Sequence, residues 1–308
     1  MALGRNEPTV DAAPFLTPER VLRRLQWHVV RRLDGRLQGD YRTLLRGNGT
    51  DFLNLRSYEW GDDIRHIDWN VTARMDELFV RDFTEDRELT AWLLLDRSRS
   101  MAFGAVERTK EQLLCEIAAT FAQLVVRSGN RVGAIIYDGN DAWAIPPRQG
   151  RHQVLTLLRD LLRPVRGGSG TDLSKLLGTA ARVVRRRSLV VLISDFISEP
   201  GWERPLLRLS EPHEVVAVRL VDPREYELPD AGLLYVEDAE TGEQLLVDSS
   251  DPELRRRLLA VTEEQDAAIR HGVAQARAVL HVVSTADDLV SAFVRMAESG
   301  RRGRRGRG

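Results

Sequence analysis

After residue 88 the chain alternates short apolar runs with longer amphipathic segments. The runs at 89–95 and 189–194 are continuous and apolar, which is typical of strands buried on both faces of a sheet. The segment 107–127 repeats apolar residues at helical spacing, which predicts a helix packed on such strands. Further strands are predicted at 131–137, 142–145, 214–220 and 279–283, and further helices at 151–162, 171–184, 202–209, from 252 onward and at 287–298. The alternation predicts an α/β fold, in which an open, mostly parallel sheet carries helices on both faces.

Proline and turn residues divide the rest of the chain. The strand at 142–145 is predicted to be an edge strand that stops at Pro146, and 222–248 is predicted to be an inserted hairpin. Near the start of the chain, Thr17 followed by Pro18 predicts the beginning of a helix. The predicted organisation is a flexible arm at 1–16, a helix with a small loop-and-strand module at 17–87, the α/β domain at 88–299 and a disordered Arg/Gly tail at 300–308.

The composition is that of a folded protein with nearly balanced charge. Of the 308 residues, 43% are hydrophobic and 30% are charged, and the formal net charge is -1. Neither general disorder nor a global attraction to nucleic acid or anionic lipid is indicated. The basic residues are almost all arginine, and the rarity of lysine, found only at Lys110 and Lys175, is interpreted as a genomic composition bias.

The single cysteine and the hydropathy pattern narrow the class of protein further. Cys115 alone excludes a disulfide framework and is expected in the core. The six histidines lack the spacing of a zinc site. No apolar run is long enough to cross a membrane and the start of the chain does not resemble a secretory signal, so a cytoplasmic protein without a membrane span is expected.

Oxygen-bearing side chains follow two of the predicted strands. Asp96, Ser98 and Ser100 alternate after the strand at 89–95, and Asp195 follows the strand at 189–194. Thr171 comes after a glycine-rich turn and opens a predicted helix. Because ligands of open α/β sheets bind beyond the carboxyl ends of the strands, we expect these five side chains to converge there. Carboxylate and hydroxyl oxygens suit a hard cation, so a Mg²⁺ or Mn²⁺ site is predicted.

This pattern resembles the metal-ion-dependent adhesion site of von Willebrand factor type A domains. The resemblance implies that Ser98, Ser100 and Thr171 ligate the metal, and that Asp96 and Asp195 act directly or through water. It also implies a von Willebrand factor A-like fold for the α/β domain. The structural alternative is that the two serines cap the next helix and that Asp195 belongs to an ordinary turn.

The block at 55–81 resembles the hallmark segment of the domain of unknown function 58 family. Its most specific part is the tract Gly-Asp-Asp-x-Arg-x-Ile-Asp-Trp at 61–69, and the resemblance spans roughly residues 35–300. Members of that family commonly accompany MoxR-type AAA+ ATPases and are thought to be metal-dependent adaptors in complex assembly or cofactor insertion. The resemblance therefore implies two partners, a MoxR-type AAA+ ATPase and an unidentified client protein.

The residues of the 55–81 block also have a meaning independent of the family. Alternating arginines and aspartates with Trp60 and Trp69 favour a salt-bridged structural module, and a partner-binding surface is the alternative. Trp69 lies among apolar residues and is expected to be buried, so that its truncation would destabilise the fold.

The predicted function is non-enzymatic, metal-dependent binding of an acidic side chain on a partner protein. Met101 and Phe103 are expected at the rim of the site, while Arg97 and Arg99 are expected to point away from the metal, towards partner acids. Two other classes stay open. The Arg-rich tail allows nucleic-acid binding, and Asp96 allows a metal-dependent phosphotransferase, although Ser98 stands where the haloacid dehalogenase type has a second aspartate.

Overall fold

The computed structural model places most of the predicted α/β domain and parts of the segment before it. It describes residues 17–33, 54–59, 64, 67, 69–75, 77–82, 89–103, 108–164, 170–226, 232–237 and 244–305. The predicted arm at 1–16, Trp60 and most of the glycine turn before Thr171 lie outside the described residues.

The N-terminal helix belongs to the main core. Helix α1 spans Pro18–Leu25 and continues into a π-helical turn, Gln26–Val30. Its apolar stripe, which includes Leu22 and Val30, is buried in the same cluster as the central strands of the large sheet. The described part of the small module consists of β1 (Asn54–Ser57), α2 (Trp69–Met75) and β2 (Phe79–Asp82), and its two strands pair antiparallel.

A six-stranded sheet forms the centre of the α/β domain. Its strands are β3 (Thr90–Asp96), β4 (Arg131–Tyr137), β5 (Ala142–Arg148), β6 (Leu189–Ser194), β7 (Glu214–Val221) and β10 (Val279–Ser284). The spatial order is β10-β7-β6-β3-β4-β5, and every neighbouring pair is parallel except β4 and β5. The predicted inserted hairpin is present as β8 (Leu233–Glu237) and β9 (Gln244–Asp248).

Helices cover both faces of this sheet, as predicted. They are α3 (Lys110–Arg127), α4 (Arg151–Leu161), α5 (Leu173–Val183), α6 (Glu203–Ser210), α7 (Pro252–Gln275) and α8 (Leu289–Arg305). Side chains alternate along β3, so that Leu93 and Leu95 pack with α1, α3, α4 and α8, whereas Trp92 and Leu94 pack with α5, α6 and α7. The continuous apolar run of β3 therefore contributes side chains to two separate hydrophobic cores, one on each face of the sheet.

The edge strand β5 is longer than the sequence predicts. It was expected to stop at Pro146, but it runs through both prolines to Arg148. The pairing with β4 shifts register between Val132 and Ala134, so the prolines fall at an irregularity of an antiparallel edge strand. Gly133 makes this possible, because a Cβ there would lie 2.9 Å from the carbonyl oxygen of Ile145.

Two further expectations are wrong. Trp69 is 66% exposed, and the buried apolar residue of its tract is Ile67. The two residues are close in sequence, but Trp69 begins the short helix α2 while Ile67 bridges to Val80, so they do not share a face. The tail was expected to be loose from residue 300, whereas α8 continues through Arg305, because a glycine at 300 or 303 costs a helix about 1 kcal/mol without ending it.

The two-sided core gives a test of stability. Phe293 of α8 is fully buried and lies 5.0 Å, centroid to centroid, from Phe121 of α3. We expect Phe293→Ala to lower the free energy of unfolding by about 3–5 kcal/mol. The matched control Trp69→Ala removes an exposed ring and is expected to change it by less than about 1 kcal/mol. Chemical denaturation of both variants checks this, and a larger loss for Trp69→Ala would contradict the exposure described above.

Candidate metal centre

The sheet reverses its strand order at β3, and this creates a crevice at the carboxyl edge. From β3 the chain proceeds to β4 on one side, while β6 lies on the other side. Such a point is where ligands bind in open α/β sheets. The register pairs Leu95 with Ile193, so the last residue of β3, Asp96, lies beside Ser194, and Asp195 follows at once.

Asp96 is fully buried and already has protein hydrogen bonds at both oxygens. The Ser194 hydroxyl donates to its Oδ2 at 2.6 Å, and the backbone N–H of Ser98 donates to its Oδ1 at 3.0 Å. The hydroxyls of Ser98 and Ser100 lie 3.1 Å apart and share a hydrogen bond. Ser98 precedes a 3₁₀ turn, Arg99–Ala102, but makes no side-chain cap bond there, so the capping alternative does not hold for it.

Thr171 is held at the same edge by the loop that follows β6. Its carbonyl oxygen accepts from the backbone N–H of Glu199 at 2.9 Å and from the Ser198 hydroxyl at 3.1 Å. The Thr171 side chain is buried, yet its Oγ1 has no hydrogen-bond partner. Buried hydroxyls in folded proteins are nearly always paired, so this oxygen is available to a ligand or a water molecule.

Asp195 and Lys110 form the contact that sequence reasoning missed. Lys110, the first residue of α3, is fully buried, and its Nζ donates to Asp195 Oδ2 at 2.6 Å and to Glu225 Oε1 at 2.5 Å. The second oxygen of Asp195 accepts from the N–H of Ile197, which is the turn that the structural alternative proposed. The two lysines of the chain differ, since Lys175 is exposed and Lys110 is buried, and no local sequence pattern distinguishes them.

The electrostatics of the crevice follow from burial and from the proximity of like charges. Burial, and then the neighbouring carboxylate of Asp195, raise the pKa of Asp96 to about 6, against its hydrogen bonds with Ser194 and Ser98. Burial alone would lower the pKa of Lys110, but the carboxylates of Asp195 and Glu225 outweigh it, so that its pKa lies above the ordinary value. The crevice thus holds an ammonium and an excess of carboxylates.

The rim of the crevice differs from the expectation. Met101 and Arg97 are buried, and Arg97 forms an ion pair with Glu111 and donates to the carbonyl of Arg163, so neither faces a partner. Met101 lies within the 3₁₀ turn Arg99–Ala102, which ends the alternation of an extended segment. Phe103 and Ile197 follow the turns after Asp96 and Asp195 and are each 43% exposed, so they are the apolar candidates for the rim.

The residues present fit a hard divalent cation. All five predicted donors are buried at one edge, and all are oxygens, two carboxylate and three hydroxyl side chains. Within the described ranges no three His, Cys, Asp or Glu side chains are placed to hold a metal ion, so any such site depends on the hydroxyls. The orphaned Oγ1 of Thr171 is the observation that favours a cation here.

The parallel sheet with an antiparallel edge, helices on both faces and an oxygen-lined switch point define a von Willebrand factor A-like α/β domain. The chain belongs to the family described as protein of unknown function DUF58, whose sequence model matches residues 54–268. The uncharacterized protein Rv1480 of Mycobacterium tuberculosis is 37% identical over 284 residues, 92% of this chain and 89% of that protein. The uncharacterized protein YeaD of Bacillus subtilis is 27% identical over 108 residues, 35% of this chain and 25% of that protein.

Solved structures share the general architecture at low identity. An aerotolerance-related membrane protein of Bacteroides fragilis is 16% identical, with a TM-score of 0.45, over 70% of this chain and 99% of that one. The SpRpn10 VWA domain is 15% identical, with a TM-score of 0.39, over 67% of this chain and 93% of that one. The fold class therefore rests on the strand order itself. Among the described helices, none combines the length and the apolar character needed to cross a membrane.

The raised pKa of Asp96 gives a test with a definite sign. A carboxyl whose pKa is raised to about 6 in the folded state destabilises the fold above that pH, and the penalty fades as pH falls towards 3.8. In chelator, Asp96→Asn is expected to raise the free energy of unfolding by about 2 kcal/mol at pH 8 and by much less at pH 4.

Urea unfolding at the two pH values checks this. The control is Asp251→Asn, at the N-cap of α7, where an asparagine caps as well as an aspartate and no such pH dependence is expected. A gain from Asp96→Asn that is equal at both pH values would contradict the electrostatic cause.

Proposed function

We propose that the protein is a non-enzymatic, divalent-metal-dependent adaptor that binds an acidic side chain of a partner protein. The observation that carries the proposal is the buried Oγ1 of Thr171, which has no hydrogen-bond partner although the Thr171 backbone is bonded to the loop that follows Asp195. A bound Mg²⁺ or Mn²⁺ would supply the positive charge that accepts a carboxylate oxygen of the partner.

The five predicted residues would have two different roles at the cation. Ser98, Ser100 and Thr171 are neutral and would hold the cation through their hydroxyls. Asp96 and Asp195 have their oxygens hydrogen-bonded to protein donors, which favours a role for them through charge or through water. Because Asp195 is paired with Lys110 and the other ligands are neutral hydroxyls, the cation would retain affinity for an incoming carboxylate.

The rim supports binding of a protein. One carboxylate contact does not make a stable complex, so apolar area must be buried around it. Phe103 and Ile197 are half exposed directly beyond the two metal-site turns, and they would supply such area. By family resemblance the partner is a MoxR-type AAA+ ATPase, which would act with this protein on an unidentified client in complex assembly or cofactor insertion.

The contacts of Asp96 argue against the phosphotransferase alternative. A nucleophilic aspartate needs an accessible oxygen, whereas both oxygens of Asp96 are buried and accept hydrogen bonds. Ser98 provides a hydroxyl where that type of enzyme has a second carboxyl.

The charge balance does not favour the nucleic-acid alternative. The formal net charge of -1 gives the protein no general attraction to nucleic acid.

Metal binding is tested on Thr171. We expect the full chain to bind Mn²⁺ in calorimetry and Thr171→Ala to weaken that binding by at least about tenfold, because one hydroxyl ligand is lost. Thr179→Ala, which removes a hydroxyl bonded to Arg182 on α5, is the matched control and is expected to bind as the wild type does. Equal Mn²⁺ binding by wild type and Thr171→Ala would refute the predicted ligand set.

Partner binding is tested at the rim. In a binding assay with the MoxR-type ATPase, Ile197→Ser is expected to weaken association by about tenfold while leaving Mn²⁺ affinity unchanged. Phe103→Ser is expected to weaken association by a similar factor, and its Mn²⁺ affinity is measured separately because the Phe103 ring lies 5.8 Å from Lys110 Nζ. Leu246→Ser, at an exposed position of β9, is the control and is expected to bind normally.

A chelator separates the two contributions in the same assay. At an Mn²⁺ concentration that fills the wild-type site but not that of Thr171→Ala, it is expected to weaken association of the wild type and the rim variants and to add nothing further to Thr171→Ala. If chelator acts equally on Thr171→Ala and on wild type, the relevant metal lies elsewhere, for example in the nucleotide site of the ATPase.

A further inference from the structure

Lys110 joins three structural elements at the edge of the candidate metal centre. It opens α3, and its ammonium meets Asp195, which follows β6, and Glu225, the last residue of the 3₁₀ turn Pro223–Glu225 after β7. Lys110 and Asp195 are fully buried, while Glu225 is partly exposed. Neither contact is local, since the partners lie 85 and 115 residues away in the sequence.

The ammonium compensates negative charge that the fold would otherwise bury alone. Without Lys110, Asp195 would retain only the N–H of Ile197 as a donor, next to the equally buried carboxyl of Asp96. An unpaired carboxylate in such a place is strongly destabilising. The crevice therefore needs a cation near Asp195 whether or not a metal ion is bound.

We propose that Lys110 is the resident cation of the centre: it keeps the metal-free centre folded and, by its charge, weakens the affinity for a divalent ion. This inference rests on the metal-dependent function proposed above. It implies that the centre tolerates loss of the metal, so that the metal is not a structural requirement of the fold.

Glu225 moderates this effect. Its Oε1 accepts from Lys110, while its Oε2 accepts from the backbone N–H of Asp222, so the side chain is fixed beside the ammonium. The negative charge of Glu225 thereby reduces the repulsion that the Lys110 ammonium would exert on a cation in the metal centre. Removing the charge of Glu225 should make Lys110 a stronger competitor, which is the opposite of removing Lys110 itself.

The experiment compares the Mn²⁺ affinities of two variants, which are expected to change in opposite directions. We expect calorimetry on the full chain to show Mn²⁺ binding about tenfold tighter for Lys110→Met, which keeps the length of the side chain but not its charge, and a few-fold weaker for Glu225→Gln. Lys175→Met removes the other lysine of the chain, at an exposed position of α5, and is expected to bind as wild type. We also expect the melting temperature of Lys110→Met to fall in chelator and to recover with Mn²⁺ far more than that of wild type.

The outcomes separate the inference from the proposed function. Weaker Mn²⁺ binding by both Lys110→Met and Glu225→Gln overturns the inference, since only damage to the site explains it, while the metal centre itself stands. If neither wild type nor a folded Lys110→Met binds Mn²⁺, the metal centre and the inference both fail. If Lys110→Met does not fold even with Mn²⁺, Glu225→Gln decides, and unchanged or tighter binding by that variant overturns the inference.

Discussion

Buried negative charge at the carboxyl ends of β3 and β6 is the constraint around which this edge of the protein is arranged. Parallel pairing of the two strands places Asp96 beside Ser194 and leaves Asp195 one residue further on. Two carboxyl groups in so small a volume out of water require compensation. Hydroxyl and backbone donors surround Asp96, and Lys110 reaches Asp195 from α3.

The same constraint explains why the loops at this edge are tied together. The turn after β6 bonds to the carbonyl of Thr171, and the N–H of Asp172 donates to the hydroxyl of Tyr137 on β4. Asp172 also caps α5, so the helix and the loop are fixed by one residue. These contacts fix the positions of the loops that carry Thr171 and Asp195.

The N-terminal helix α1 packs against the six-stranded sheet. Helix α1 buries its apolar stripe against the face of the sheet that also carries α3, α4 and α8. A cleft of about 1240 Å³ lies between α1, the turn at 97–102 and the start of α3, and it opens next to Ser98. The helix is thus part of the α/β domain in its packing, although it precedes the family's hallmark block in sequence.

The sequence by itself determined those elements of the fold that depend on local pattern. The strand Leu189–Ser194, the cap of α7 at Asp251 and the hairpin β8–β9 follow from side-chain periodicity and turn chemistry, which act over a few residues. The oxygen donors at the strand ends were also predictable, because the ends of parallel strands share one edge.

Tertiary structure decided what depends on partners far apart in the chain. The burial of Lys110 between Asp195 and Glu225, the exposure of Trp69 and the passage of β5 through two prolines each depend on which distant segment lies alongside. A sequence pattern gives the chemical capacity of a side chain, but burial and charge pairing are set by its neighbours in space. For that reason the composition showed that lysine was rare, and only the packed sheet showed where one lysine was needed.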